Sequence, residues 1–377
     1  MKALKIGNLK VKLPIIQGGM GVGISLSNLA AAVANEGGIG VISAVAIGMT
    51  RPNYKENFRK ANLEGLRNEI RKARKKTNGI LGVNIMMAVT DYEDLMKVAI
   101  DEKIDVIFVG AGLPLRKPST LSDEEWLNSE TKIIPKVSSA RAAKTLSLFW
   151  AKKYNKVPDA IVIEGPLAGG HLGFKKEEVE KVEKSLENIV YETVEEMKVF
   201  EKQFSKKIPV IAGGGIYTGH DIYNIMQHGA SAVKMGTRFV TTYECDASFK
   251  FKETYLTSNE NDITIIDSPV GLPGRVIKNK FVEEIQNGLQ KPVKCPWKCL
   301  KTCKVKDAPF CIAEALNNAA KGNLDEGFAF AGTKAFLAEK IITVKETFTQ
   351  LLDEYYINAK TDISFDTVYD NELAVAK

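Results

Sequence analysis

The sequence has no uncharged apolar run long enough to cross a bilayer and no strong excess of charge of one sign. A membrane-spanning helix needs about 20 mostly apolar residues. Lysine and arginine number 52 against 46 aspartates and glutamates, which gives a net charge of +6, and basic runs such as residues 67–76 also contain acidic residues. That mixture is typical of solvated helix faces. We therefore expect neither a membrane nor a nucleic-acid partner.

Features of a secreted protein are also missing. The first residues, MKALKIGNLKVKLPII, lack the apolar core and the small-residue cleavage site of a signal peptide. The cysteines number five, an odd count with four of them crowded between residues 295 and 311, and this does not resemble a disulfide framework. Both observations favour a reducing compartment, and we predict a cytoplasmic location.

The crowded cysteines are Cys295, Cys299, Cys303 and Cys311. A spacing of four residues would place the first three along one face of a helix, and Cys311 could complete a four-thiolate site for zinc or an iron–sulfur cluster. The spacing matches no standard zinc or cluster motif, and free buried thiols would explain the same residues. The sequence leaves both interpretations open.

Short apolar strands alternate with segments of helical periodicity along most of the chain. Such alternation requires a parallel sheet, and eight units indicate an α/β fold of the closed (β/α)8 type, the TIM barrel, rather than an open doubly wound sheet. The predicted strands are 14–17, 39–43, 80–86, 106–111, 132–137, 160–164, 209–212 and 232–235.

The alternation of strands and helices stops after residue 245. We assign residues 1–245 to the barrel core and residues 246–311, which contain the cysteine cluster and several prolines, to an irregular covering segment. Residues 312–377 return to helical spacing and are predicted to pack back on the barrel as a C-terminal helical segment.

Two glycine turns, at residues 212–216 and 235–239, follow the last two predicted strands. Turns in those two places supply backbone N–H groups without a side chain in the way, and they favour a phosphate-bearing ligand. A third glycine-rich stretch, residues 18–23, is not a dinucleotide fingerprint, because no acidic residue follows the next strand.

The stretch 160–174, AIVIEGPLAGGHLGF, is an apolar strand that ends abruptly in glycines around one histidine, His171. In a barrel this turn lies on the catalytic rim, although a lone histidine is also often structural. At the same rim Gln17 and Asn84 offer amides, and Met20 offers a polarizable side chain to a ring system.

The segments PIIQGGMG, GVNIM, IEGPLAGGHLG, IPVIAGGGI and KMGTRFVTTYEC together resemble the nitronate monooxygenase (2-nitropropane dioxygenase) family of FMN-dependent barrels. The flavin-dependent enoyl-ACP reductases are near relatives of that family. The resemblance runs in order from about residue 10 to residue 245. Many relatives have an acid where this chain has Leu167, so the resemblance supports no second acid there.

The resemblance implies a role for each matching residue. The isoalloxazine and ribityl chain of FMN would be surrounded by Gln17, Gly18, Gly19, Met20, Asn84 and Glu164. The phosphate would be held by Gly213, Gly214, Gly215, Gly236 and Thr237, and His171 would face the substrate as the catalytic base.

These observations predict an FMN-dependent oxidation of alkyl nitronates or nitroalkanes, with dioxygen as the second substrate. An imidazole poised near neutral pH would deprotonate a neutral nitroalkane, whereas a nitronate needs no base. The alternative enzyme passes electrons from NAD(P)H through FMN to an enoyl thioester or a quinone. A third hypothesis is a binding module whose cysteine-rich segment docks a partner. The physiological substrate and the oligomeric state do not follow from the sequence.

Overall fold

A computed structural model describes residues 1–181, 184–291, 295 and 297–375, with the backbone alone for residues 180 and 361–375. The strands are β1 (Leu4–Ile6), β2 (Leu9–Val11), β3 (Ile15–Gln17), β4 (Gly40–Ser43), β5 (Leu81–Met86), β6 (Val106–Gly110), β7 (Lys132–Val137), β8 (Ile161–Glu164), β9 (Gly170–His171), β10 (Val210–Gly213), β11 (Ala232–Met235), β12 (Ile263–Asp267) and β13 (Pro273–Ile277). The α-helices are α1 (Ser27–Asn35), α2 (Phe58–Arg74), α3 (Tyr92–Asp101), α4 (Asp123–Asn128), α5 (Ala140–Tyr154), α6 (Lys176–Glu180), α7 (Leu186–Phe204), α8 (Gly219–Gln227), α9 (Thr237–Val240), α10 (Phe249–Leu256), α11 (Lys280–Gln286), α12 (Ile312–Ala320) and α13 (Val344–Val375).

Eight of these strands form one parallel sheet in the order β3, β11, β10, β8, β7, β6, β5, β4. A parallel bridge between Ile16 and Ile39 joins the two ends of the sheet and closes the ring. The TIM-barrel prediction is thus confirmed, and each predicted strand overlaps an observed one to within one residue at either end.

The barrel interior is filled by side chains that point inward from the strands, including Val41, Phe108 and Val162, all at most 1% exposed. The short antiparallel hairpin of β1 and β2 adds Leu4 and Ile6 to the same cluster. Sequence reasoning missed this hairpin. Because one end of the barrel is filled in this way, a cavity can form only at the other end, where the strands terminate at their carboxyl ends.

The helices pack their apolar faces on the outside of the ring. In α2, for example, Leu66 and Ile70 are at most 1% exposed, and the side chain of Asn57 caps the first turn by accepting a hydrogen bond from the Lys60 N–H. That cap explains why α2 begins at Phe58.

The prediction that residues 246–311 are irregular is wrong for much of that segment. It contains α10, the antiparallel pair β12 and β13, and α11. The prolines that suggested irregularity lie where strands tolerate them: Pro273 is the first residue of β13, and Pro269 lies in the turn before it. Strand β13 also pairs with β9, so the covering segment is joined to the barrel loop that carries His171.

Residues 292–294 and 296 of the covering segment and residues 376–377 of the C-terminal segment lie outside the described residues. The division of the chain at residues 245 and 311 stays a prediction. Within the described part of the chain, no helix is both long enough and apolar enough to cross a membrane.

Candidate active site

A cavity of about 540 Å³ opens at the carboxyl ends of the barrel strands, beneath the covering segment. In a TIM barrel this is the face that carries the chemistry. The residues predicted from the sequence that line it are Gly18, Gly19, Met20, Asn84, Glu164, His171, Gly213, Gly214, Gly215, Gly236 and Thr237. The structure thus brings together the predicted residues from the turns after β3, β5, β8, β10 and β11.

The glycine turns after β10 and β11 lie side by side, because these strands are neighbours in the sheet. Gly214 and Gly215 have φ angles of 100° and 78°, which favour glycine. Gly236 lies beside Met20, since a Cβ on Gly236 would be 3.5 Å from the Met20 sulfur. The two turns therefore form a cradle that has no side chains at Gly213–Gly215 and Gly236.

The turn after β3 forms a second wall. The Gly18 N–H donates to the Met235 carbonyl at 2.7 Å, and this bond fixes the turn against β11. Gly19 passes so close to Asn84 that a Cβ there would be 2.4 Å from the Asn84 Cβ. Gln17 does not fit its predicted role, because its side chain is fully buried and its amide oxygen accepts from the Val41 N–H at 2.9 Å, within the barrel wall.

Three charged side chains reach into the cavity from the strands. The Lys136 ammonium contacts both carboxylate oxygens of Glu164, at 2.7 and 2.8 Å. The Lys234 Nζ lies 5.2 Å from the centre of the Phe108 ring and has no hydrogen bond or ion pair with any described residue. Burial, with a smaller contribution from the positive charge of Lys136, lowers the pKa of Lys234 to about 8. At neutral pH the three groups together carry one net positive charge.

His171 lies half-buried at the edge of the cavity, in the short strand β9. Its Nε2 is 2.7 Å from the Ser268 hydroxyl oxygen, and its ring packs edge-on against Phe330 with the centroids 4.8 Å apart. Burial, and secondarily the charge of Lys136, lowers the pKa of His171 to about 4. The imidazole is therefore neutral at physiological pH, and the expectation of a pKa near neutrality is corrected.

Comparison with known proteins identifies the family to which the chain belongs. The family model described as nitronate monooxygenase matches residues 2–354. The chain belongs to the nitronate monooxygenase family. Members of this family are flavin-dependent oxidoreductases, which agrees with a barrel whose last two strands end in a cradle suited to a phosphate.

Individual relatives of this family member are distant. A probable nitronate monooxygenase of Staphylococcus aureus (strain Newman) is 27% identical over 305 residues, covering 74% of this chain and 78% of that protein. A (3aS,4S,5R,7aS)-5-hydroxy-7a-methyl-1-oxo-octahydro-1H-indene-4-carboxyl-CoA dehydrogenase of Mycobacterium tuberculosis (strain ATCC 25618 / H37Rv) is 25% identical over 278 residues, covering 74% of this chain. The alignment spans 66% of that dehydrogenase, just under two thirds of its length. The structure of FabK from Thermotoga maritima superimposes with a TM-score of 0.73 at 28% identity, covering 94% of this chain and 96% of FabK.

The unpaired polar groups in the cavity of this nitronate monooxygenase family member are suited to binding a flavin. The Ser43 hydroxyl, at the end of β4, is 2% exposed, lines the cavity and has no hydrogen-bond partner among the described residues. Buried hydroxyls are almost always paired, so a bound molecule is expected to supply the partner. The unpaired Lys234 ammonium indicates the same.

Sequence reasoning missed Lys136, Lys234, Ser43 and Ser268. The two lysines carry a signal in retrospect, because each is a charged residue flanked by buried residues within an apolar strand; Lys234 is the one charged residue of β11, and Lys136 lies near the end of β7. The two serines carry none. Ser268 reaches His171 from 97 positions away in the chain, and only the pairing of β13 with β9 brings it there.

The four clustered cysteines are free thiols that do not lie on one helix face. The described residues around Cys299 and Cys303 are non-helical, and Leu300 forms an antiparallel bridge with Val89. Among the residues the structure describes, no group of three or more His, Cys, Asp or Glu side chains is placed to hold a metal ion. The predicted zinc or iron–sulfur site therefore receives no support. Burial raises the pKa of the Cys299 thiol to about 12, as expected for an unreactive thiol.

Proposed function

We propose that this chain catalyses the FMN-dependent oxidation of alkyl nitronates with dioxygen. The observation that carries the proposal is the cavity itself, in which a side-chain-free cradle at β10 and β11 faces a neutral histidine and a net positive charge. Family membership supports a flavin, and the absence of an adenosine-binding fingerprint in the sequence favours FMN over FAD.

Each wall of the cavity has a proposed role in holding the cofactor. Gly213, Gly214, Gly215 and Gly236 would hold the phosphate through backbone N–H groups, and the Thr237 hydroxyl would add a further donor. The ring system would lie against Met20 and Asn84. Bound FMN would supply the chemistry by accepting two electrons from the substrate and passing them to dioxygen.

The charge of the site favours an anionic substrate. The Lys136 charge is balanced by an ion pair with Glu164, whereas Lys234 forms no ion pair with any described residue and feels Glu164 only at longer range. A nitronate is already ionised, so it would be attracted by this charge and would require no base. The low pKa of His171 agrees with this choice, because an imidazole with a pKa of about 4 is a weak base for a neutral nitroalkane.

If His171 acts as a base on neutral nitroalkanes, the accepting nitrogen would be Nδ1. Nε2 is engaged by Ser268, and Nδ1 has no partner among the described residues. The hydroxyl oxygen of Ser268 also accepts the Val270 N–H at 3.3 Å, which holds it in place. In that arrangement Nε2 carries the proton and donates it to Ser268, so the ring is oriented with Nδ1 free to accept.

A second candidate function is the reduction of an enoyl thioester by NAD(P)H through the same flavin. The relative named as a carboxyl-CoA dehydrogenase and the 28% identity to FabK favour it. The apolar side of the cavity, lined by residues such as Leu300 and Leu316, would also suit an acyl chain. This candidate requires fast hydride transfer from NAD(P)H, which the first does not.

Anaerobic mixing of the purified protein separates the two functions. We expect the visible absorbance of the flavin to be bleached by ethyl nitronate and to be nearly unchanged by NADH or NADPH. Aerobic oxygen uptake should then depend on the nitronate. Mass analysis of the released cofactor should give FMN. Rapid bleaching by NADPH alone, or release of FAD, would contradict the proposal, and colourless protein that takes up no FMN would favour the binding-module hypothesis. The cytoplasmic location stays a prediction.

A further inference from the structure

The cavity has a second, apolar part on the far side of the ring from the glycine cradle. Its wall is formed by Phe58 and Val89, which follow β4 and β5, and by Leu300, Ile312 and Leu316 of the covering and C-terminal segments. We call this part the apolar chamber. A nitronate of two or three carbons beside His171 would leave it unfilled, so its lining indicates a substrate with a longer apolar body.

One carboxylate interrupts the wall of the apolar chamber. Asp91 lines the cavity and is 5% exposed. It occupies the N-cap position of α3, where an aspartate normally accepts a hydrogen bond from the first turn of the helix. Its side chain makes no such capping bond. It accepts instead from the Asn62 Nδ2 at 2.8 Å.

The surroundings of Asp91 hold the carboxylate in place without neutralising it. The Asn62 amide is fixed at its other end, because its oxygen accepts the Gly48 N–H at 2.8 Å. The nearby Arg59 is paired with Asp94 on the outer face of α3. Burial accordingly raises the pKa of Asp91. The carboxylate has the Asn62 amide and its own backbone N–H as donors, and Arg59 acts on it only through its charge, without an ion pair. Burial of such a carboxylate costs stability, and a bound molecule that donates to it would offset that cost.

We propose that Asp91 is a substrate-recognition residue, and that the substrate is an extended apolar molecule with a hydroxyl group at the end remote from the flavin. A hydroxyl donates to a carboxylate yet is neutral, so it enters an apolar chamber at a smaller desolvation cost than an ammonium group does. A terminal carboxylate is disfavoured by the like charge of Asp91. This inference rests on the proposed function for the reacting end of the molecule.

The test compares nitronates of four to eight carbons, each with and without a terminal hydroxyl, at the wild-type protein and at Asp91→Asn. At the chain length that reaches Asp91, we expect the wild type to prefer the hydroxylated nitronate by roughly tenfold in kcat/KM, as for a hydrogen bond to a charged group. In Asp91→Asn the new amide can still accept from Asn62 through its oxygen, but it presents an N–H to the chamber. The preference should therefore disappear in this variant. Asp101→Asn, at the other end of the same helix and outside the cavity, is the matched control and should keep it.

A binding measurement tests the role of Asp91 without depending on whether the protein oxidises nitronates. Calorimetric titration of the flavin-loaded protein with 1-hexanol should show binding that Asp91→Asn weakens at least fivefold and Asp101→Asn leaves unchanged, again as expected for one lost hydrogen bond to a charged group. If no nitronate is oxidised but this difference is found, the chamber assignment stands and the proposed function fails. Equal affinity in all three proteins, or equal preference for hydroxylated nitronates, would overturn the role of Asp91.

The chamber itself is tested by filling it. Ala313 lines the cavity at the start of α12 and is 6% exposed. Ala313→Phe should lower kcat/KM for nitronates of six or more carbons at least tenfold, because the ring would occupy the space of the apolar body. Turnover of ethyl nitronate and the flavin absorbance should be retained, which shows that the variant folds. Equal losses at every chain length would contradict the chamber.

Discussion

At the scale of single residues, His171 is the side chain whose role the structure changes most. The sequence predicts a base poised near neutrality, whereas burial next to Lys136 lowers its pKa to about 4. A base with that pKa is deprotonated across the physiological range. We therefore expect kcat/KM to be insensitive to the titration of His171 between about pH 5 and pH 8 and to decline only as the pH falls towards 4.

Replacing this residue gives the corresponding prediction. If His171 acts as a base, His171→Ala should keep FMN and lower the turnover of a neutral nitroalkane by roughly 10²-fold, the lower end of the usual contribution of general-base catalysis, because an imidazole with a pKa of about 4 is a weak base. The ready-made nitronate should lose much less. Steady-state kinetics with both substrates on flavin-replete protein measures the difference. Equal losses for the two substrates would instead assign His171 a purely structural part, through its contacts with Ser268 and Phe330.

Lys234 is the second residue whose buried surroundings shift its pKa, and its charge should affect the midpoint potential of the flavin. Its ammonium lies in the cavity without an ion pair to any described residue, and burial lowers its pKa to about 8, so it is charged below pH 8 and neutral above. A cation beside a flavin stabilises the negative charge gained on reduction. Lys234→Met should lower the midpoint potential of the bound flavin at pH 7 by about 20–65 mV, from about 1–3 kcal/mol of charge interaction.

The pH dependence checks that assignment. Because wild-type Lys234 loses its proton above about pH 8, the difference in potential between the wild type and Lys234→Met should shrink as the pH rises from about 7 to about 9. Lys252, a buried lysine of α10 whose Nζ donates to the Tyr243 carbonyl away from the cavity, provides the control variant Lys252→Met. A potential that is the same in wild type and Lys234→Met at every pH would show that the ammonium does not act on the flavin.

At the scale of elements, the turn after β11 is the sharpest test of the phosphate cradle. Gly236 has ordinary right-handed backbone angles, and a Cβ there would touch only Met20 at normal contact distance. Gly236→Val should therefore fold but place two methyl groups in the cradle. We expect FMN affinity to drop at least roughly tenfold, as measured by flavin absorbance after gel filtration, with Gly236→Ala losing less. Full retention of flavin in the valine variant would place the phosphate elsewhere. Gly214 is unsuitable for this test, because its φ of 100° would strain any side chain.

The elements also show what the sequence could and could not predict. The barrel strands could be found because they are buried on both faces, which gives them continuous apolar runs. The glycine turns could be found because few other residues fit there. The direction of a side chain could not be predicted from the sequence. Gln17 lies at the end of a strand as predicted, yet its amide oxygen accepts a hydrogen bond from Val41 within the barrel wall. Asp91 reads as an ordinary helix cap, and only the structure shows that its carboxylate makes no capping bond.

At the scale of the whole molecule, the barrel and its cover form one unit, and a buried arginine reinforces the pairing of β13 with β9 that joins them. Arg275 in β13 is 5% exposed, and its guanidinium donates to the carbonyls of Pro166 and Ala168, at 2.7 and 2.5 Å, in the loop between β8 and β9. Burial lowers its pKa only to about 10, so the group stays charged at neutral pH. The same loop carries His171, which pairs with Gly274 beside the arginine. The position of His171 over the cavity therefore depends on the cover.

Arg275→Met removes these donors while keeping an apolar stem of similar reach. Two buried carbonyls lose a charged partner, and we expect the free energy of unfolding to fall by about 2–4 kcal/mol in a denaturant titration. Arg275→Lys, which keeps the charge and part of the donor geometry, should lose less. The cover should also loosen before the barrel unfolds, so His171 should move out of place and nitronate turnover should fall at denaturant concentrations where the far-UV circular dichroism is still native. If turnover and circular dichroism are lost together and at the wild-type midpoint, Arg275 does not hold the cover over the site.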